Sequence, residues 1–237
     1  MNDVIKLEDC NFYHVMDLPV VGTVSSGYGW DLRGRFDDYT GHVPMTGKTF
    51  LDVGTASGFL SFEAEKRGAI VTSFDAESDH QIQYVPGSER DCMAELQGRR
   101  NSYWFSHRAL NSKAVVRYGD IYCLGQLLPP YEIVFMGQIL VHLRDPLEAL
   151  HQASLIASET LIISEGSFES DRPTAVLVGG RAIPYAWWHL SNRIYHDWLG
   201  LLGFDVINET KSQYRCLAGG PMNEMVEVWT FVAKRRT

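Results

Sequence analysis

From residue 48 onward, short runs rich in β-branched and aromatic residues alternate with longer stretches of helical character, and this alternation constrains the chain more than any other feature. The runs are KTFLDVG (48–54), AIVTSFDA (69–76), AVVRYGD (114–120), YEIVFMGQ (131–138) and ETLIISEG (159–166). Helical candidates fall at 58–67, 88–110 and 146–157, the last opened by Asp145-Pro146, an N-cap followed by a proline at the first helical position. Strands joined through helices pair in parallel, so the pattern predicts a mostly parallel sheet covered on both faces. An irregular piece (167–186), a helix at about 189–202 closed by Gly203, and the runs FDVINETK (204–211) and VEVWTFVAKR (226–235) complete the chain. Only the loop SQYRCLAGGPMNE separates the last two runs, so they are expected to pair antiparallel. The expectation is a seven-stranded α/β sheet with an antiparallel last strand.

A length of 237 residues suits one domain with appended elements. Residues 1–46 carry turn formers such as SSGYG and no sustained period, and are read as an N-terminal arm with a short helix; residues 47–237 are the domain, with an insertion at about 167–190. The net charge of −8, from 21 basic and 29 acidic residues, argues against a surface built to neutralise a phosphate backbone. Cys10, Cys92, Cys123 and Cys216 lack metal-ligand or disulfide-framework spacing, and no metal is expected. With no leader-like start and no 18-residue apolar run, a cytoplasmic setting without membrane attachment is expected.

The first run turns into its helix through Gly54-Thr55-Ala56-Ser57-Gly58. Such a turn aims backbone N–H groups and a helix N-terminus at whatever lies above the carboxyl end of the sheet. A dinucleotide fingerprint would place a glycine where Ala56 stands, which weakens a pyrophosphate reading. The second run ends in Asp75, 17 residues beyond Gly58, and the third ends in Asp120-Ile121.

These three strand ends together resemble class I S-adenosylmethionine-dependent methyltransferases, whose first motif is an acid-x-Gly-x-x-x-Gly loop and here reads Asp52-Val-Gly54-Thr-Ala56-Ser-Gly58. The resemblance implies a Rossmann-like sheet of order 3-2-1-4-5-7-6 and S-adenosyl-L-methionine as cofactor. It places Gly54, Thr55, Ala56, Ser57 and Gly58 along the methionine and ribose portions, with Asp75 accepting from the ribose hydroxyls. Ala76 would lie against adenine, Asp120 would accept from the adenine amino group, and the Ile121 N–H would face a ring nitrogen. Many relatives have a third glycine where this chain has Ala56, and many others a small residue.

A second match, VFMGQILVHLRDPLEAL (134–150), resembles the segment after the fourth strand of many small-molecule methyltransferases and of tRNA wobble-uridine modifiers. With WDLRG at 30–34, the nearest comparison is with uncharacterised methyltransferases related to those tRNA enzymes. Gly137 and Gln138 would then sit beside the cofactor's methionine portion. His142 is a candidate general base, or else a capping or packing histidine.

The aromatic excess collects at 179–204. Tyr185, Trp187, Trp188 and His189 either line an acceptor cleft or pack the insertion onto the sheet, whereas the helical spacing of Ile194, Trp198, Leu201 and Leu202 reads as core. In the arm, Tyr28 is a candidate lid residue. Arg33 either contacts a carboxylate of the cofactor or acceptor or pairs at the surface with Asp31 or Asp37. The expected function is methyl transfer to a small molecule, at an oxygen of a hydroxyl or carboxylate on a natural product or sugar. The alternatives are a tRNA-modifying methyl or carboxymethyl transferase and a non-catalytic cofactor-binding subunit; oligomeric state is not legible.

Overall fold

The computed structural model describes residues 5–86, 92–180, 183, 185–218 and 223–237. Its strands are β1 (Met16–Leu18), β2 (Gly22–Val24), β3 (Tyr28–Asp31), β4 (Thr49–Val53), β5 (Ile70–Asp75), β6 (Val115–Tyr118), β7 (Tyr131–Gly137), β8 (Ala157–Glu165), β9 (Ser167–Phe168), β10 (Ala175–Leu177), β11 (Trp188–Ser191), β12 (Phe204–Ala218) and β13 (Asn223–Arg235). The helices are α1 (Phe36–Tyr39), α2 (Phe59–Lys66), α3 (Cys92–Ala109), α4 (Leu124–Leu127), α5 (Pro146–Ile156) and α6 (Asn192–Leu201). All five expected parallel strands form. The expected start of α3 at residue 88 lies outside the described residues.

The main sheet has eight strands in the order β3-β12-β13-β8-β7-β4-β5-β6. The pairs β4–β5, β4–β7, β5–β6 and β7–β8 are parallel, while β13 runs antiparallel to both β8 and β12. Without β3, this is the order 3-2-1-4-5-7-6. The additional strand comes from the arm, where the sequence suggested only a helix; a four-residue strand framed by glycines carries almost no periodic signal.

Period-two alternation along the central strands sorts their side chains onto two cores. Val134 and Met136 of β7 face α5 and α6 with Leu51, Leu161 and Ile163. Ile133 and Phe135 face the other way, with Phe50, Ile162, Phe62 and Tyr103. Phe135 stacks on Phe50 at 6.1 Å and tilts against Tyr39 at 5.9 Å, a site where truncation to alanine costs about 3–5 kcal/mol. On α6 the buried positions are Ile194, Tyr195 and Leu199, whereas Leu201 is 81% exposed and so departs from the core reading.

The ribbon of β12 and β13 is longer than the sequence suggested, because most of the segment read as a loop continues the strands. Lys211, Trp229 and Glu165 pair across the sheet at the carboxyl end of β8. Beyond that rim β12 continues to Ala218 and pairs with β3, Arg215 opposite Asp31. The ribbon thereby carries the arm above the carboxyl ends of the parallel strands. The insertion is not wholly irregular, since β9, β11 and β10 form a small sheet and Trp188–Ser191 is strand where a helix start was expected.

Candidate active site

The turn after β4 is built by its own backbone. Gly54 and Gly58 adopt φ of +83° and +89°, and Ala56 adopts +49°. The Gly54 and Thr55 N–H groups both donate to the Phe74 carbonyl, at 2.8 and 3.0 Å, which ties the turn to β5. A Cβ at Gly58 would stand 2.5 Å from the Phe62 ring and 2.8 Å from Tyr103, so aromatic packing beneath the turn requires glycine there. Ser57 and Thr55 are buried, and Thr55 Oγ1 lies 2.9 Å from Ser61 Oγ.

Asp75 organises this turn. Its Oδ2 accepts the Ala56 N–H at 2.8 Å and its Oδ1 accepts the Ala76 N–H at 2.7 Å. Burial raises its pKa, and the two backbone bonds offset part of that rise. Each carboxylate oxygen still has a second lone pair for a ligand. Asp120, at the end of the neighbouring strand, caps the next turn by accepting the Tyr122 N–H at 2.9 Å, and Ile121 follows it. Beneath the turn, Asp52 is buried and its pKa is pushed up to about 6, with the Ser61 hydroxyl donating to it at 2.6 Å.

After β7 the chain turns through Gly137, where a Cβ would come within 2.7 Å of the Phe135 ring, and Gln138, at φ +49°. The Gln138 N–H donates to the Ser164 carbonyl at 2.8 Å, while its buried side-chain Nε2 has no partner among the described residues. The following N–H groups, of Ile139 and Leu140, both donate to Glu165 Oε1 at 2.7 Å. Glu165 is wholly buried, and burial pushes its pKa up to about 8 against the backbone bonds from Leu140, Ile139 and Val141.

His142 Nδ1 bonds the Tyr185 carbonyl. A carbonyl only accepts, so Nδ1 is the donor in this bond. The Trp187 N–H donates to the Val141 carbonyl at 2.8 Å, and its indole N–H donates to the Gln83 carbonyl. Trp188 packs against the core and donates to the Arg144 carbonyl at 3.2 Å, while His189 stacks edge-on against Phe168 at 4.9 Å. The geometry thus joins Tyr185 and Trp187 to the turn bearing His142, sets Trp188 against the core and the Arg144 carbonyl, and leaves the exposed His189 beside Phe168 of β9.

The arm closes over the glycine turn through residues the sequence did not single out. The His14 N–H donates to Ser57 Oγ at 3.1 Å, and its buried ring stacks on Phe59 at 5.7 Å. Burial without a charge partner lowers the His14 pKa to about 3. Arg99 of α3 lies over the Tyr13 ring at 5.6 Å and bonds Glu95 at 3.0 Å; its buried Nε has no partner among the described residues. Tyr28 donates to Asn11 Oδ1 within the arm. Arg33 is engaged elsewhere: Nε and one terminal nitrogen bond Asp31, each at 2.8 Å, and the other bonds Asp17 at 2.8 Å, so it forms a surface ion pair and does not reach the cleft. The partners are Asp31 and Asp17, not Asp37.

No family model and no curated protein sequence matches the chain. Solved structures do. Magnesium protoporphyrin IX methyltransferase from Synechocystis with bound SAM superposes with a TM-score of 0.56 at 17% identity, over 85% of this chain and 76% of that one. The 1,6-didemethyltoxoflavin-N1-methyltransferase of Burkholderia thailandensis, with its substrate and S-adenosylhomocysteine, gives 0.57 at 14% identity over 87% and 78%. A putative RNA methyltransferase from Pyrococcus horikoshii gives 0.57 at 14% over 85% and 84%. At such identities the likeness is one of architecture, and it establishes that this chain has the class I fold of S-adenosylmethionine-dependent methyltransferases.

Proposed function

We propose that the chain is an S-adenosylmethionine-dependent methyltransferase acting on an oxygen, hydroxyl or carboxylate, of a small-molecule acceptor such as a natural product or sugar. The observation that carries this reading is the pair of carboxylates, Asp75 and Asp120, at the ends of adjacent parallel strands beside a left-handed glycine turn. An adenosine brings donors to match them: two ribose hydroxyls for Asp75 and an amino group for Asp120. The orphaned buried donors, Gln138 Nε2 and Arg99 Nε, favour a ligand that also brings acceptors, as an amino-acid carboxylate does.

When bound, S-adenosylmethionine supplies a methyl group on a sulfonium, open to in-line displacement. For that chemistry the chain must align the acceptor and exclude water. Tyr13 and His14, held on the glycine turn by Ser57 and Phe59, serve exclusion. The 138–142 turn and the aromatic residues bonded to it, Tyr185 and Trp187, serve alignment. For a hydroxyl acceptor, the His142 imidazole takes the proton as the oxygen–carbon bond forms; a carboxylate acceptor needs no base.

A second reading, a tRNA-modifying methyl or carboxymethyl transferase, is favoured by the residues at 134–150 and opposed by the net charge of −8. A gel shift with total tRNA, falling steeply with salt, would support it. The primary test compares thermal protection by S-adenosylhomocysteine and by NAD. A ligand at 100 times its dissociation constant adds about 2.7 kcal/mol of stability. Protection by S-adenosylhomocysteine alone is the expected outcome, and protection by NAD alone would replace the methyltransferase reading with a dehydrogenase.

A further inference from the structure

Among the polar groups that the proposed chemistry leaves unused, Glu165 stands out by burial and connectivity. It ends β8, is wholly buried, and reaches across 26 positions of sequence to accept two consecutive backbone N–H groups, those of Ile139 and Leu140, at 2.7 Å each. Immediately before those groups lie Gly137 and Gln138; immediately after them lie Val141 and His142, whose carbonyl and ring bond Trp187 and Tyr185. One carboxyl therefore fixes the segment that leads from Gly137 and Gln138 to the groups bonded to the aromatic insertion.

We propose that Glu165 is a positioning residue for methyl transfer, holding the 138–142 turn so that the cofactor side and the acceptor side of the cleft keep a fixed relation. The proposal rests on reading the cleft as an S-adenosylmethionine site. Glu165 Oε2 and the Tyr195 hydroxyl are buried without hydrogen-bond partners among the described residues.

The titratable and charged surroundings of Glu165 include no ion-pair partner among the described residues. Tyr39 of α1, Tyr195 of α6 and Tyr13 of the arm feel its charge. His142 lies on the turn itself. In the sheet row Glu165–Trp229–Lys211, the Lys211 ammonium sits 3.8 Å over the Trp229 ring, and the Trp229 indole donates to Glu227. With its pKa pushed up to about 8, the carboxyl holds its proton through neutral pH, and ionisation at higher pH makes Oε1 a stronger acceptor of the Ile139 and Leu140 N–H groups while placing a buried charge without an ion-pair partner among the described residues beside the turn.

The test uses the full chain, isotope-labelled, with amide resonances followed from pH 6.5 to 9. Ile139 and Leu140 are expected to shift together with a midpoint near 8, and Glu165→Gln to abolish that titration. In parallel, the dissociation constant of S-adenosylhomocysteine is expected to change at least about fivefold through the same midpoint in the native protein and to stay level in Glu165→Gln. Amides that do not titrate in a protein that binds S-adenosylhomocysteine would overturn the proposal alone, and this arm needs no variant. Titrating amides with unchanged affinity would also overturn it, since Glu165 would then be merely structural. Absence of S-adenosylhomocysteine binding at every pH would overturn the cofactor reading and the proposal with it.

Discussion

Replacing Asp75 with asparagine separates two roles that one carboxylate performs. In the native chain Oδ2 accepts the Ala56 N–H at 2.8 Å and Oδ1 the Ala76 N–H at 2.7 Å. An asparagine amide has one oxygen, so it accepts one of these donors and sets its own NH2 group against the other. An unsatisfied buried donor costs about 1–3 kcal/mol. Removing a charge disfavoured by burial offsets part of that cost, as the raised pKa of Asp75 indicates, and a net loss of about 1–2 kcal/mol of folding stability is expected. On the ligand side, one of the two proposed charge-assisted bonds to the ribose hydroxyls is lost. At about 1.5–3 kcal/mol, that weakens S-adenosylhomocysteine roughly 10–150-fold. Denaturant titration without ligand reads the first effect and isothermal calorimetry the second. A variant with unchanged affinity would remove Asp75 from the cofactor site, and one with unchanged stability would refute its role in shaping the turn.

Other expectations follow from the same geometry. Gly58→Ala puts a Cβ 2.5 Å from Phe62 at a φ of +89°, and left-handed strain with overpacking should cost about 2–5 kcal/mol, lowering the melting temperature by roughly 4–20 °C in a thermal scan. Stability should fall as pH rises toward about 8, because native Glu165 holds a proton that the unfolded chain releases above its ordinary value of 4.5; the slope is at most about 1.4 kcal/mol per unit and should vanish in Glu165→Gln. His14 acts oppositely: it is held neutral down to about 3, so stability should fall as pH drops below 6.5, visible as a change in denaturant midpoint. His142→Ala should leave S-adenosylhomocysteine affinity unchanged while slowing transfer to a hydroxyl acceptor by about 10²–10⁴-fold, and undiminished transfer would end its candidacy as base.

The central sheet was readable from sequence because each parallel strand is a short run rich in β-branched and aromatic residues ending in a residue of a different character: Gly54, Asp75, Asp120 and Gln138 follow or close their runs. Local pattern and tertiary placement agree there. The arm was not readable. Its strand β3 exists because β12 continues beyond the rim, and its hold on the glycine turn depends on His14 and Ser57, 43 positions apart with no shared local signal. Glu165 shows the opposite case: the terminal acid of LIISE is plain in the sequence, but its meaning depends on two amides 25 and 26 positions away. Arg33 was misleading for a physical reason, since two nearby aspartates, Asp31 and Asp17, satisfy it at the surface.

The most direct measurement is a crystal structure of the protein with S-adenosylhomocysteine. The expected result places the ribose hydroxyls within hydrogen-bonding distance of Asp75, the adenine amino group at Asp120, and the thioether beside Gly137 and Gln138. A ligand seated elsewhere, or one whose ribose is not held by Asp75, would contradict the proposed cofactor site.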